Sequence, residues 1–493
     1  MNGGGCLKKR KGKLWLIFSL IGAGMTMTSP ARADTLEDAL IAAYKTNPTL
    51  KAAQADLRAT DEDVPIQRAQ GLPSLDGTGQ YIEFLKQSSA SFTAPDRSAS
   101  ASVDLSVPIY SGGAVKNSIR AAKTRVVAGR ADLRGSESGL FSQVVAAYMD
   151  VILNEALVSL SRNNVDVLTV NLEATSDRFE IGDLTRTDVA QSQSRLALAR
   201  GDLETAQSNL INARETYIQL VGKAPQDLQP PPPLPNLPAD TQTAVTVALK
   251  NNPDLIAARE RARAAGYDID VAGAGRAPRL SLFAGGNYTN YLDTLGGVVG
   301  AGPISQAQTS AQAGVQLTIP LFQGGLPAAQ QRQAQARASQ ALEQTVATER
   351  DIIAQTRAAY ASWRAAAAII ESNRSAVSAA QLSLEGVRAE NTVGNRTILD
   401  ILDAQRELLT AQIDLVTARR NAYVAGFSLL AAMGQAEARD LGLGEEGLLY
   451  DPVANYERVH DRIWDWDRDP DPTAESTRTV DIPAQDGDIP DNQ

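Results

Sequence analysis

Two segments of the chain alternate apolar and polar residues with a period of two. In the first, Val103, Leu105, Val107 and Ile109 point one way, and Ser102, Asp104 and Ser106 the other. In the second, Ala313, Val315, Leu317, Ile319 and Leu321 alternate with Gln312, Gly314, Gln316 and Thr318. Each is preceded by a strand-like stretch, Leu75 to Leu85 in the first case, and by a Ser/Gly-rich loop at about residues 87–98 or 292–309. After each pair the period changes to helical. Long helices are expected from about Ala114 to Phe179 and from about Leu326 to Glu390, and 65 residues at 1.5 Å each extend about 100 Å. Val144, Val151, Val158, Val165, Leu172 and Phe179 recur every seven residues, matched by Trp363, Ile370, Val377 and Leu384, which predicts left-handed coiled-coil packing. Gly182 and Gly394 stop the long helices, and return helices run from about Thr187 to Val221 and from about Ile398 to Met433.

The pattern is written twice. Asn47-Pro48 recurs as Asn252-Pro253 and Pro73 as Pro278, both at an offset of 205 (253−48, 278−73). Val107-Pro108-Ile109-Tyr110-Ser111-Gly112-Gly113 returns as Ile319-Pro320-Leu321-Phe322-Gln323-Gly324-Gly325 at an offset of 212 (320−108). That second offset also relates Tyr148 to Tyr360, Gly182 to Gly394 and Gly222 to Gly434. A duplication of this length implies two equivalent halves around one axis, so function is sought in what the axis encloses. The change of offset places a net insertion of seven residues (212−205) between Leu280 and Pro320, within the second hairpin.

The organisation that follows is a leader at 1–33, an N-terminal helix at 34–72 and a first hairpin at 73–110. A long helix, turn and return helix occupy 111–222, and a linker 223–240. The second half repeats this as helix 241–277, hairpin 278–322 and helices 323–434, before an acidic extension at 435–493. Seven of the fourteen residues from Pro225 to Pro238 are proline, which suits an extended strap. From about Asp465 onward, Asp and Pro dominate and the end is expected to lack structure.

Composition narrows the class. Lys8 to Lys13, the apolar stretch Leu14 to Met27 and Ala31-Arg32-Ala33 form an export signal, with the mature chain expected to begin at Asp34. Removing its six basic residues takes the formal charge from −10 to −16 (−10−6), which argues against nucleic acid as a partner. The single cysteine, Cys6, falls in the leader, so neither disulfides nor thiolate metal sites are expected. No later run of about 18 apolar residues predicts a transmembrane helix. Apolar-out, polar-in strands of about ten residues fit a transmembrane barrel instead, with Tyr110 and Phe322 as interfacial aromatics. A soluble sheet carrying a periplasmic coiled-coil scaffold is the alternative of a different class.

Enzyme chemistry is poorly provided for. His460 is the one histidine, no triad or His-Glu-x-x-His site can be assembled, and no cofactor is implied. The run Gly296-Gly297-Val298-Val299-Gly300-Ala301-Gly302 lacks a Walker lysine and is read as an external loop.

The doubled Asn-Pro, the doubled strand-Pro-aromatic-x-Gly-Gly and the segment Val393-Gly394-Asn395-Arg396-Thr397-Ile398-Leu399-Asp400-Ile401-Leu402-Asp403-Ala404-Gln405 resemble the TolC family of outer-membrane exit ducts, from about residue 35 to 435. The resemblance implies an α+β membrane protein: a homotrimeric channel-tunnel in the outer membrane of a Gram-negative bacterium. Each chain would give four strands to a shared β-barrel and long helices to a periplasmic α-barrel. Oligomerisation has an independent reason, since four strands cannot close a barrel. By the same resemblance Asp400 and Asp403, spaced i, i+3 on one helix face, form a carboxylate ring at the periplasmic entrance. Like charges so close are expected to raise one another's pKa and attract cations. The first copy carries Asp188 and Gln191 there. Arg396 would hold the gate shut through Thr187 and Asp188, and the turns at Gly182 and Gly394 would receive a periplasmic adaptor. Asn391 departs from the family pattern, which has a tyrosine at the gate.

The implied partners are that adaptor, outer-membrane lipid and an inner-membrane ABC or proton-driven pump, with exported protein or small molecules as cargo. Tyr450-Asp451-Pro452, Tyr456 and Trp464 resemble the C-terminal extension of members tied to type I protein secretion. Protein export is therefore the expected role, with multidrug efflux as the alternative.

Overall fold

The computed structural model describes residues 34–86, 94–296, 304–443 and 449–489. The leader and most of the Gly296–Gly302 run lie outside the described residues. Two short helices, α1 (Leu36–Thr46) and α2 (Pro48–Ala69), lead to strands β1 (Ser74–Glu83) and β2 (Arg97–Tyr110). The long α3 (Ala114–Glu180) and returning α4 (Arg186–Val221) follow. The second half repeats the order: α5 (Thr241–Asn251), α6 (Pro253–Gly273), β3 (Arg279–Asn290), β4 (Ala307–Thr318), α7 (Leu326–Thr392) and α8 (Ile398–Ala432). A short α9 (Ala454–Val459) lies in the C-terminal extension.

The single N-terminal helix expected in each half is broken in two. Pro48 disfavours a helical conformation at Asn47, which takes φ −69° and ψ 124° and turns the break into a junction. Its Oδ1 accepts from the backbone N–H groups of Thr49 (2.9 Å) and Leu50 (3.3 Å), and its Nδ2 donates to the Leu220 carbonyl (3.0 Å) at the end of α4. Asn252 does the same, accepting from Asp254 and Leu255 and donating to Ala432 O (3.0 Å) at the end of α8. One side chain thus satisfies orphan donors of one helix and an orphan acceptor of another.

The four strands form one antiparallel sheet in the order β1-β2-β3-β4. The register aligns Leu75, Leu105, Ala284 and Ala313 across the sheet, and likewise Val107, Leu282 and Val315. One face is therefore apolar, while Asp76, Asp104, Gly285 and Gln312 share the other. The alternation expected to run to Leu321 stops at Thr318, because Ile319-Pro320 leaves the ladder. Leu321 and Phe322 then stand 92% and 90% exposed beyond the strand. Gly113 and Gly325 follow with φ of 87° and 83°, a left-handed entry into α3 and α7 that suits glycine.

Both long helices run 67 residues, about 100 Å. The core gathers where α1, α3, α4 and α8 meet, around Phe141, Val144, Val145, Tyr148, Val151, Leu210, Tyr217 and Phe427. The seven-residue stripe is fully buried at Val144, Val151 and Val158 and fades to 42% exposure at Phe179, where the helices approach the turn. By length and composition α3 could cross a membrane, but the buried part of its apolar stretch lies in this core. Repeated tyrosines hold the proline-rich linker: Tyr148 Oη lies 2.6 Å from Gln229 O, and Tyr360 Oη 2.9 Å from Ala239 O.

Glu137, on α3, accepts a 2.5 Å bond from the Ala438 backbone N–H. Burial, reinforced by Glu437 and Asp440, pushes its carboxyl up to about 7 despite that bond. A raised acid binds its proton more tightly in the folded state, so its stabilisation is fully present below about 4.5 and lost as pH rises through about 7. Glu137→Gln keeps an acceptor for Ala438 and removes the charge. The unfolding free energy measured between pH 5 and pH 8 should fall less with pH in this variant, by about 2–3 kcal/mol. An unchanged pH slope would contradict the assignment.

The acidic extension, whose end from about Asp465 is expected to lack structure, is held along its described length. Asn455 Nδ2 donates to buried Asp61 (2.9 Å), Tyr456 packs on Val64, Ala122 and Val126, and Arg130 lies over the Tyr456 ring at 5.3 Å. Beyond α9 it has no helix or strand through residue 489, yet side-chain contacts still tie it to α2 and α4.

Candidate functional site

Two tip turns end the helical hairpins, and they are built alike. Gly182 (φ 82°) donates to Phe179 O, and Asp183 N to Arg178 O (2.9 Å). Gly394 (φ 78°) donates to Asn391 O, and Asn395 N to Glu390 O (3.0 Å). The left-handed glycine lets the backbone reverse while the last carbonyls of each long helix stay bonded. A Cβ at either glycine would meet nothing within 4 Å, so both turns present open surface.

The return helices then begin with the same device. Thr185 caps α4 and Thr397 caps α8, each in a reciprocal capping box with the aspartate three residues on. Asp188 Oδ2 accepts from Thr185 N (2.9 Å) and Oγ1 (2.7 Å), and Asp400 Oδ2 accepts from Thr397 N (2.8 Å) and Oγ1 (2.8 Å). These bonds stabilise the ionised form. Asp400 is held below the usual carboxylate range by the Thr397 backbone and hydroxyl, with Arg396 adding to the effect. Asp188 is lowered by the Thr185 hydroxyl and backbone. Within one protomer Asp400 is thus held low by its own cap, whereas the crowding expected to raise the carboxylates is between neighbouring copies. The signal was present in the sequence as Thr-x-x-Asp directly after each glycine turn.

Asp403 has a different partner. Arg195, from the third turn of α4, brings Nη2 to 2.8 Å from its Oδ1. The pair spans 208 residues and joins the two hairpins. Arg195 is 25% exposed and Asp403 66%, so the bond itself contributes at most about 1 kcal/mol. Its consequence for local charge is larger than for stability.

Arg396 is placed on the tip as expected but does not reach Asp188 or Thr187 within the protomer. Its Nε lies 2.8 Å from Glu390 Oε2 and its Nη1 3.8 Å from Asp400 Oδ1, while Asp188 is occupied by its own cap and Thr187 is exposed. Asn391, the departure from the family pattern, donates through Nδ2 to Arg396 O (2.7 Å) and closes the turn from inside. The structure thus brings together Asp400, Asp403 and Arg396, adds Arg195 and Glu390, and keeps Asp188 and Thr187 on the other hairpin's return helix. Among the described residues, no group of three or more His, Cys, Asp and Glu could hold a metal ion.

The family model described as outer membrane efflux protein matches residues 40–223 and 244–435, the two halves of the duplication. The chain is 33% identical over 451 residues to the outer membrane efflux protein BepC of Brucella suis biovar 1, covering 91% of this chain and 95% of that one. It is 27% identical over 446 residues to the outer membrane protein TolC of Escherichia coli K12, covering 88% and 89%. The alkaline protease secretion protein AprF of Pseudomonas aeruginosa is 27% identical over 319 residues, 63% of this chain and 64% of that one. The crystal structure of the outer membrane protein VceC of Vibrio cholerae superposes with a TM-score of 0.69 at 23% identity, over 81% of this chain and 96% of that one, a likeness of fold. With both halves matched and the hairpin-and-tunnel architecture shared, this chain belongs to the outer membrane efflux protein family, the TolC-like channels of the Gram-negative outer membrane.

Proposed function

We propose that three copies of this chain close a twelve-stranded barrel and that the joined tunnel is the outer-membrane exit duct of a type I protein secretion system. The observation that carries the channel reading is the four-stranded sheet. It has one apolar and one polar face and two edges, β1 and β4, that pair with no strand among the described residues. Unpaired edges at membrane depth are costly, and closure with neighbouring copies removes them. Self-association is supported along the tunnel as well. Leu342, Val346, Ile369 and Leu382 of α7 stand 45–71% exposed, an apolar set that a neighbouring copy would cover.

In this reading the tip is the periplasmic gate, with Asp400 and Asp403 repeated three times around it. Contacts from Arg396 to Asp188 and Thr187 form between protomers, in competition with Glu390. The Gly182 and Gly394 turns receive an adaptor, and docking there favours the open arrangement of the hairpins. Transport energy comes from an inner-membrane pump.

Protein secretion is supported by the relationship to AprF and by the C-terminal extension packed along α2. Small-molecule efflux is the second reading, favoured by the fuller match to BepC, named for efflux. Isolation of the cross-linked native complex tests both. An ABC-type ATPase and an adaptor co-purifying with a trimer support secretion, a proton-driven pump supports efflux, and a monomer without either would overturn the proposal.

A further inference from the structure

The C-terminal extension makes an excursion whose turning point carries two tryptophans. It climbs α2 in step with that helix: Asn455 meets Asp61, Tyr456 meets Val64, and the His460 carbonyl accepts from Arg68 Nη1 at 3.0 Å. Arg68 also pairs with Asp461. The chain then turns, with Asp467 N bonded to Trp464 O (3.1 Å), and Asp469 returns to Arg458 (2.7 Å). From there it descends, past Lys51 at Glu475 (3.5 Å), then Glu215 at Gln485 N (3.1 Å) and Arg214 at Asp486 O (2.9 Å). The highest point of the path is therefore the segment Ile463–Trp466.

That point lies at the level where helix gives way to barrel. Arg68 is six residues before the first residue of β1, Ser74 (74−68). Trp464 is three residues past Asp461, at most about 10 Å along the chain. Ile463, Trp464 and Trp466 are 69%, 71% and 85% exposed, an apolar set that the protomer leaves uncovered. The same rim holds a groove lined by Gly71, Ile109, Tyr110, Lys116, Arg120 and Lys123. The three basic residues, spaced i, i+4, i+7, form an exposed stripe on the first turns of α3, directly below the end of β2. Positive charge below an apolar and aromatic edge matches a layer of phospholipid headgroups, and tryptophan prefers that layer.

We propose that Ile463, Trp464 and Trp466 form a membrane-surface anchor that seats in the phospholipid headgroup layer around the periplasmic rim of the barrel. It acts beside the basic stripe of Lys116, Arg120 and Lys123. The inference rests on the barrel strands lying in the membrane. Its role is to fix the height and tilt of the tunnel relative to the bilayer, by tying the extension on α2 and α4 to the lipid surface.

The tryptophans report on themselves. Of the four in the sequence, Trp15 lies in the expected leader and Trp363 on α7, so the spectrum of the full chain minus that of its W464F/W466F variant isolates the apex. The probe is the purified protein in vesicles of phosphatidylethanolamine and phosphatidylglycerol, with or without bromine on the acyl carbons nearest the headgroup. The expected result is a blue-shifted difference emission, quenched at least twofold by the brominated lipid and little by aqueous iodide. Emission quenched by iodide and untouched by bromine would overturn the proposal, as would emission shielded from both, which would mean a protein partner or neighbouring copy covers the apex. Conductance of the same preparation is measured in parallel. A conducting channel with an unquenched apex refutes the anchor alone, whereas a protein that does not conduct refutes the barrel reading on which it rests.

Discussion

Gly434→Ala should lower the unfolding midpoint of the protein far more than Gly394→Ala, although both glycines end helical segments of the second half with positive φ (68° and 78°). A methyl group at Gly394 meets nothing within 4 Å, so only the left-handed strain remains, about 1 kcal/mol. At Gly434 the added Cβ lies 2.5 Å from Asn251 O, 2.7 Å from Asn251 C and 2.9 Å from Asn252 Cα. All three are backbone atoms and cannot swing aside. They belong to the junction where Asn252 caps α6 and bonds Ala432 O, so moving them also breaks that clasp. Overpacking adds roughly 1–3 kcal/mol to the strain, for a total of about 3 kcal/mol. Gly222→Ala should fall between the two, because its nearest neighbours are the hydroxyl ends of Thr46 (2.8 Å) and Thr477 (3.0 Å), which can rotate. Thermal unfolding of the three variants in one detergent gives the ranking. Equal effects at Gly434 and Gly394 would show that the junction is not tightly packed.

The second large effect is electrical. Asp400→Asn with Asp403→Asn should weaken block of the channel by multivalent cations by at least tenfold, and Arg195→Gln should strengthen it. Asparagine is the informative replacement at Asp400, because it keeps an acceptor for Thr397 while removing the charge; alanine would also remove the cap and cost about 1 kcal/mol at the start of α8. Within the protomer, Arg195 offsets Asp403 and Arg396 offsets Glu390, leaving Asp400 as the carboxylate with the weakest cationic partner, at 3.8 Å. If the proposed gate is the entrance, Arg195 sets how negative it is. Unit charges 4 Å apart interact by about 1 kcal/mol in bulk water and about 4 kcal/mol at an effective dielectric of 20. Several such charges repeated around a narrow aperture therefore suffice for changes of tenfold or more. Block that is unchanged in both variants would remove the carboxylates from the conduction path.

Much of this was legible in the chain itself. The order of elements, the two 67-residue helices and the apolar and polar faces of the hairpins follow from period-two and period-seven patterns, which local backbone geometry enforces. Asp400 and Asp403 were found through resemblance to a family motif, and they do stand on the first turns of α8. What escaped was tertiary. The Arg195–Asp403 pair joins helices far apart in sequence, and neither residue's spacing announces the other. The Arg396–Asp188 contact was implied by the family resemblance, and within the protomer Arg396 instead meets Glu390, six positions before it across a tight turn. The capping boxes and the breaks at Asn47 and Asn252 were written locally as Thr-x-x-Asp and Asn-Pro. Their meaning lies in which orphan groups they satisfy. The end of the acidic extension shows the converse: from about Asp465 its composition suggests disorder, but Asp469, Glu475 and Asp486 pair with Arg458, Lys51 and Arg214.

Single-channel recording from the purified protein in a planar bilayer tests the central claim most directly, that the duplicated hairpins form a shared pore entered through an acidic tip. The account predicts discrete currents from a trimeric preparation, with reversal potentials in a salt gradient that favour cations, less so in the Asp400→Asn, Asp403→Asn variant and more so in Arg195→Gln. Trimers that insert into the bilayer yet carry no discrete current would contradict it.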